Sequence, residues 1–277
     1  MDIGVLINIR SEGTLLEKMQ EAASLELTAC QLCCWDTRMH TKELAKQAVE
    51  ASKATGVKIT GLWAGWSGPA YWNFTMGPST LGIVPAAYRY QRMQELLSAS
   101  EFADMMGVSD IITHAGFIPE NMNDGNYDDV VAALSYLCKN LKAKGQNFLF
   151  ETGQETPVTL LRTIERIGLG NAFINLDTGN LILYGKGNPL DAMDVFGKYV
   201  KNTHLKDGVY PVNGDQLGKE TAFGKGKVDF AGIIKKIVEI GNDVPLIIER
   251  EISGPQQIED IKIARDGLRA ILADIGA

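Results

Sequence analysis

The chain has 277 residues, 45% of them hydrophobic, and carries a net charge of −7. That length is close to the roughly 250 residues of one α/β barrel and is enough to bury a large single core. The acidic balance repels phosphate backbones and disfavours nucleic acid as a partner, and no apolar run approaches the roughly 20 residues of a membrane span.

No Pro/Ser-rich run, charge block or low-complexity segment divides the chain, so one domain over residues 1–277 is expected. The first residues read as a strand, Ile3 to Ile9, with no basic leader region and no cleavage signal. Four cysteines follow: Cys30, Cys33, Cys34 and Cys138. Cys30-x2-Cys33 lacks the second pair of a structural zinc site, and the two positions face opposite sides of a strand. They read as small buried hydrophobes. A reducing, cytoplasmic setting is expected.

Eight strands are expected, near residues 2–9, 29–34, 57–63, 109–114, 146–151, 172–177, 199–205 and 244–250. They alternate with helices near 12–24, 41–55, 86–106, 127–144, 157–168, 189–198, 230–241 and 256–273. Several strands are near-continuous apolar runs, as parallel strands covered by helices should be. Phe230, Ile233, Ile234, Ile237 and Val238 follow the spacing of one buried helix face, as do Val130, Val131, Leu134, Leu137 and Leu141. Thr156-Pro157 and Asn188-Pro189 read as a cap followed by proline at the first helical position. Eightfold alternation points to a closed parallel (β/α)8 barrel, with a doubly wound open sheet as the rival.

The long irregular stretch from about 64 to 85 carries Trp66, Tyr71, Trp72 and Phe74. Loops of this length in compact domains are usually functional, and Trp66 is expected to contribute to a wall or lid over a substrate.

In the second half, four strand-like segments each end in a metal-competent side chain: Glu151 in FETGQE, Asp177 in NLDTGN, His204 in HLKDG and Glu249 in IEREISG. The gaps are 26, 27 and 45 residues. The first two match one strand–helix unit of about 30 residues. Parallel strands joined by right-handed crossovers end on one face, where such barrels carry their active sites. Alone, each acid could be a helix cap or a surface charge; the repetition carries the argument. Three carboxylates and an imidazole suit one Mn²⁺, Mg²⁺ or Co²⁺, with Zn²⁺ or Ni²⁺ as alternatives. Such an ion polarises a carbonyl, and a carboxylate on either side can then move the adjacent proton. Glu151 and Glu249, expected on opposite sides of the ring, suit a two-base transfer at a sugar carbon.

Further candidates surround this set. His114 ends strand 4 and is expected to bond substrate. Lys206 shares the strand face of His204 and is expected near a substrate oxygen. Glu155 and Arg250 are weaker substrate candidates, for which an ion pair or a helix-terminal charge is an equal explanation. Gly224-x-Gly226 lacks phosphate-loop spacing and is expected to be a turn leading to a helix capped by Asp229.

At these residues the chain resembles the xylose isomerase-like TIM barrels, in the sugar phosphate isomerase/epimerase group. THAGFIPEN and LILYGKGNP extend the likeness over nearly the whole chain. The resemblance implies one divalent metal ion held by Glu151, Asp177, His204 and Glu249, with the two glutamates as the acid/base pair of ketose 3-epimerases of the D-tagatose 3-epimerase kind. The chain departs from those epimerases at three substrate-contacting positions. Asn180 stands where they carry histidine, Glu155 lies four residues after Glu151 instead of six, and Tyr210 stands where an arginine is expected. The expected function is metal-dependent isomerisation or epimerisation of a sugar or polyol. A dehydratase acting on a keto-polyol such as an inosose is the alternative. A DNA hydrolase like endonuclease IV is disfavoured by charge and by only three histidines, and a non-catalytic sugar-binding barrel by the complete ligand set. Barrels of this group often associate, which leaves a homo-oligomer open.

Overall fold

A computed structural model describes residues 1–9 and 15–276. The elements in chain order are β1 (Ile3–Ile9), α1 (Leu15–Ser24), β2 (Ala29–Cys34), α2 (Lys42–Thr55), β3 (Lys58–Ala64), α3 (Gly77–Thr80), α4 (Ala86–Met106), β4 (Asp110–Thr113), α5 (Gly125–Ala143), β5 (Asn147–Glu151), α6 (Pro157–Ile167), β6 (Ala172–Asp177), α7 (Thr178–Leu183), α8 (Pro189–Phe196), β7 (Val200–His204), β8 (Asp207–Val209), β9 (Lys219–Thr221), α9 (Phe230–Ile240), β10 (Leu246–Ile248) and α10 (Pro255–Ile275). The start of the first expected helix, residues 12–14, lies outside the described residues.

Eight parallel strands form a nearly closed barrel in the order β10-β1-β2-β3-β4-β5-β6-β7. The remaining seam, between β7 and β10, closes through Leu205. Its N–H donates to Ile247 O at 2.7 Å, and it bridges in parallel to Ile248. Thr203 reinforces the seam by donating to Pro245 O at 2.8 Å and accepting from Ile247 N at 3.2 Å. The eight expected strands are therefore the eight staves, each within two or three residues of its expected ends, and the open sheet is excluded.

The main core lies between the staves and the helices. Phe230, Ile233, Ile234 and Ile237 of α9 are buried there, with the helix capped by Asp229 accepting from Gly232 N at 2.9 Å. A smaller cluster of Cys33, Trp63, Ile112 and Leu149 fills the barrel interior. Cys30 belongs to the outer core and Cys33 to the inner one, as strand alternation requires. All four cysteines are buried and free.

Three elements were not anticipated: α3, α7 and the antiparallel hairpin of β8 and β9. The hairpin accounts for the long spacing between His204 and Glu249. Asp207 pins the following glycine-rich turn, accepting from Gly226 N at 2.8 Å and Val228 N at 3.1 Å. That stretch is a turn leading into α9, as expected. Among the described residues, no helix is long and apolar enough to cross a membrane.

Candidate metal centre and substrate cavity

Glu151, Asp177, His204 and Glu249 converge at the C-terminal ends of β5, β6, β7 and β10. Each offers a ligand atom, all within 4.8 Å of one another and all buried. These staves are consecutive, so the set occupies an arc of the rim. Glu151 and Glu249 stand at the two ends of that arc, three staves apart. This corrects the expected placement on opposite sides of the ring, because the fifth and eighth staves of an eight-stave barrel are three steps apart through β6 and β7, not four.

Local sequence explains how the acids are aimed. Glu151-Thr152-Gly153 and Asp177-Thr178-Gly179 repeat one device. Thr152 Oγ1 donates to Asp177 O at 2.8 Å and accepts from Asp177 N at 2.9 Å. Thr178 Oγ1 donates to Lys206 O at 2.7 Å and accepts from Lys206 N at 3.3 Å. Each hydroxyl extends the ladder one step past the strand and ties an acid to the next stave. Gly179 allows close packing beside it, since a Cβ there would meet Lys206 Cγ at 2.7 Å.

Asp177 has two roles, divided between its oxygens. Oδ1 caps α7 by accepting from Asn180 N at 2.8 Å. Oδ2 lies 2.9 Å from Lys206 Nζ. The Lys206 ammonium also lies 2.9 Å from Glu249 Oε2 and 2.9 Å from Glu251 Oε1, with no exposure of its side chain. It donates a hydrogen bond to Glu251 and faces Asp177 and Glu249 as ion pairs. Glu151 accepts a hydrogen bond on Oε2 from the Trp63 indole N–H. His204 Nδ1 lies 3.1 Å from Glu151 Oε1 and 3.3 Å from Glu249 Oε2.

Burial opposes charge throughout this cluster. Burial favours neutral Lys206 and His204, but the surrounding carboxylates outweigh it and hold both well above their ordinary values. Burial holds the Asp177 carboxyl well above the carboxylate range despite Lys206. For Glu249, burial is overcome by Lys206 and His204, which hold it well below that range. Four carboxyl groups, of Glu151, Asp177, Glu249 and Glu251, against one lysine and one imidazole leave an excess of acidic groups. Asp177 Oδ2 and Glu249 Oε2 also accept no well-aligned hydrogen bond among the described residues. A buried Glu-Asp-His-Glu set with that excess suits a divalent cation.

Beside it lies a cavity of about 310 Å³, whose lining includes Glu151, Glu249, Glu251 and Asn180 together with Trp35, Trp63, Trp72, His114 and Tyr184. The three tryptophans and His114 form one continuous wall. Trp35 lies 4.8 Å from Trp63 and 6.2 Å from Trp72, and Trp72 lies 5.1 Å from His114, between ring centroids. His114 is buried, which lowers its pKa and favours the neutral ring, and its Nδ1 has no hydrogen-bond partner among the described residues.

Other expected contacts lie further out. Trp66 stands behind the aromatic wall, donating to Thr113 Oγ1 at 3.2 Å, with the Arg92 guanidinium over its ring at 4.1 Å. Arg250 joins Glu220 of the hairpin at 2.9 Å to Asp260 of α10 at 2.7 Å. Glu155 is buried on the loop after β5, with neither oxygen hydrogen-bonded among the described residues, and burial pushes its carboxyl up to about 8. Neither Glu155 nor Arg250 lines the cavity. Trp35, Trp63 and Glu251 were missed. Trp63 was hidden inside strand 3, although its inward alternation with Gly61 was readable.

An acidic four-residue set at the C-terminal rim of a parallel eightfold barrel defines a class as well as a site. The chain belongs to the xylose isomerase-like TIM barrel family, whose profile matches residues 19–273. Among solved structures it is similar to a xylose isomerase domain protein from Planctomyces limnophilus, with 32% identity and a TM-score of 0.92 over 99% of this chain and 98% of that one. It is also similar in fold to 3-keto-D-glucoside 4-epimerase from E. coli, with 15% identity and a TM-score of 0.75 over 98% and 99% of the two chains. A third is a xylose isomerase-like TIM barrel protein from Mycobacterium smegmatis in complex with magnesium, with 13% identity and a TM-score of 0.73 over 100% and 98%. No curated protein matches the chain by sequence.

Proposed function

We propose that this chain is a divalent-metal-dependent sugar isomerase or epimerase that moves a proton on a carbon next to a carbonyl. The observation that carries the reading is the buried convergence of Glu151, Asp177, His204 and Glu249 beside an aromatic cavity. These four residues hold the ion, for which Mn²⁺, Mg²⁺ and Co²⁺ suit the oxygen-rich donors. When bound, the ion supplies Lewis-acid polarisation of a substrate carbonyl.

The chain's own groups do the rest. Glu249, kept ionised by Lys206 and His204, takes the proton. Glu151, fixed by the Trp63 indole at the other end of the arc, takes up a proton from solvent and delivers it to the opposite face, and Glu249 releases its proton to solvent afterwards. Neutral His114 offers Nδ1 to a substrate oxygen, and Asn180 lines the cavity beside it. Lys206 holds the carboxylates in place. The tryptophans exclude water and offer flat surfaces to the C–H face of a sugar or polyol. Free cysteines fit a cytoplasmic enzyme.

The test is metal content by elemental analysis, for the wild type and for a Glu151→Gln, Glu249→Gln double variant, followed by incubation of a ketose and keto-inositol panel in deuterated water. About one divalent ion per chain, lost in the variant, with deuterium incorporated into intact substrate, is the expected result. Loss of water from the substrate would make the chain a dehydratase instead, and wild-type protein without a divalent ion would end the reading.

A further inference from the structure

We infer that Gln31, in the middle of β2, positions His204 so that Nδ1 is the ring nitrogen offered to the cation. The inference rests on the functional reading above, in which His204 is a ligand.

Gln31 is fully buried in the otherwise apolar strand ACQLCC. A carboxamide there is costly unless its polar atoms are bonded, and these are bonded across three other residues of the barrel interior. Its Oε1 lies 2.7 Å from His204 Nε2. Its Nε2 donates to Asn175 Oδ1 at 2.8 Å and faces Thr203 O at 3.5 Å. A backbone carbonyl only accepts, so the amide nitrogen belongs on the Thr203 side. The amide oxygen must then face His204, and His204 Nε2 must carry a hydrogen.

The consequence falls on the other ring nitrogen. With Nε2 bound to Gln31, only Nδ1 is left to face Glu151 Oε1 at 3.1 Å, Glu249 Oε2 at 3.3 Å and Asp177 Oδ2 at 4.0 Å. A hydrogen bond at the far nitrogen of a ligating histidine fixes its tautomer and ring orientation and makes the ligand more basic. Gln31 is thus a positioning residue. It acts on the metal centre from 173 residues away in sequence without touching the cavity.

Two measurements test this. The first needs no variant of Gln31: ring ¹⁵N–¹H spectra of the magnesium-loaded protein, with His204 assigned by the signals lost in His204→Gln. A hydrogen on Nε2 and none on Nδ1 is expected, and the reverse tautomer overturns the inference. The second is calorimetric titration of Mn²⁺ into Gln31→Met and Gln31→Glu, with the metal-free melting temperature as the folding control. Gln31→Met removes the acceptor at similar volume and should bind about 10–100-fold more weakly. Gln31→Glu keeps an acceptor and should retain most of the affinity. Wild-type affinity in Gln31→Met overturns the inference and leaves the functional reading intact, whereas a wild type that takes up no divalent ion defeats that reading first. Should Gln31→Met fail to fold, the tautomer still decides.

Discussion

The ammonium of Lys206 lies 2.9 Å from Glu249 Oε2, and the two side chains are 0% and 9% exposed. A cation from the chain itself therefore sits against a carboxylate assigned to hold a metal. The same ammonium touches Asp177 and Glu251 at equal distance.

Replacing Lys206 by Met should leave buried carboxylates uncompensated. Breaking such a buried pair costs about 3–5 kcal/mol, so the metal-free variant should melt well below wild type. Saturating Mn²⁺ should then raise its melting temperature by more than it raises that of wild type, because the ion takes over the neutralisation. Equal metal-induced shifts in the two proteins would count against this electrostatic account.

Glu155 sets a pH dependence of stability. Its folded pKa is raised from 4.5 to about 8 by burial. Between those values the folded chain keeps a proton that the unfolded chain has released, so stability falls as pH rises through the window and levels off above about 8. A shift of that size corresponds to at most roughly 5 kcal/mol. Glu155→Gln keeps the neutral form at every pH. It should raise the melting temperature clearly at pH 8 and little at pH 5, and a gain of equal size at both would refute the assignment.

Trp63→Phe keeps an aromatic ring in the wall and removes the one N–H that holds Glu151 Oε2. A hydrogen bond to a charged group contributes about 1.5–3 kcal/mol. The turnover number on the best substrate of the panel should drop by about tenfold or more, with KM little changed. A rise in KM at constant turnover would assign Trp63 to substrate packing alone.

Glu249→Gln should slow proton exchange into substrate by about 10²–10⁴-fold, the usual contribution of a positioned base. It also removes a ligand carboxylate, so metal content has to be measured on the same sample. Full metal occupancy with wild-type exchange would exclude Glu249 as a base.

The legible part of the site was the part that follows from strand periodicity. Glu151, Asp177, His204 and Glu249 each stand at the end of a strand-like segment, and parallel strands deliver such ends to one rim. The hairpin is not legible in the sequence, because three-residue strands such as Asp207–Val209 carry no periodic signal. Asp177 shows why a cap and a ligand cannot be separated in sequence: one oxygen caps α7 and the other faces Lys206. Trp66 and Arg250 were singled out by residue type, yet neither lines the cavity. In sequence, Arg250 gives no sign that Glu220 and Asp260 take up its guanidinium.

What the amino-acid order determined by itself was the eightfold alternation and the place of each ligand at a strand end, since both depend on contacts between near neighbours and on a two-residue strand period. Tertiary structure alone decided that Trp35, Trp63, Trp72 and His114 meet as one wall of the cavity. It also brought Lys206 among the carboxylates and turned Gln31 toward His204. Those relationships join residues dozens to more than a hundred positions apart, and no local pattern encodes the closing of the barrel that makes them neighbours.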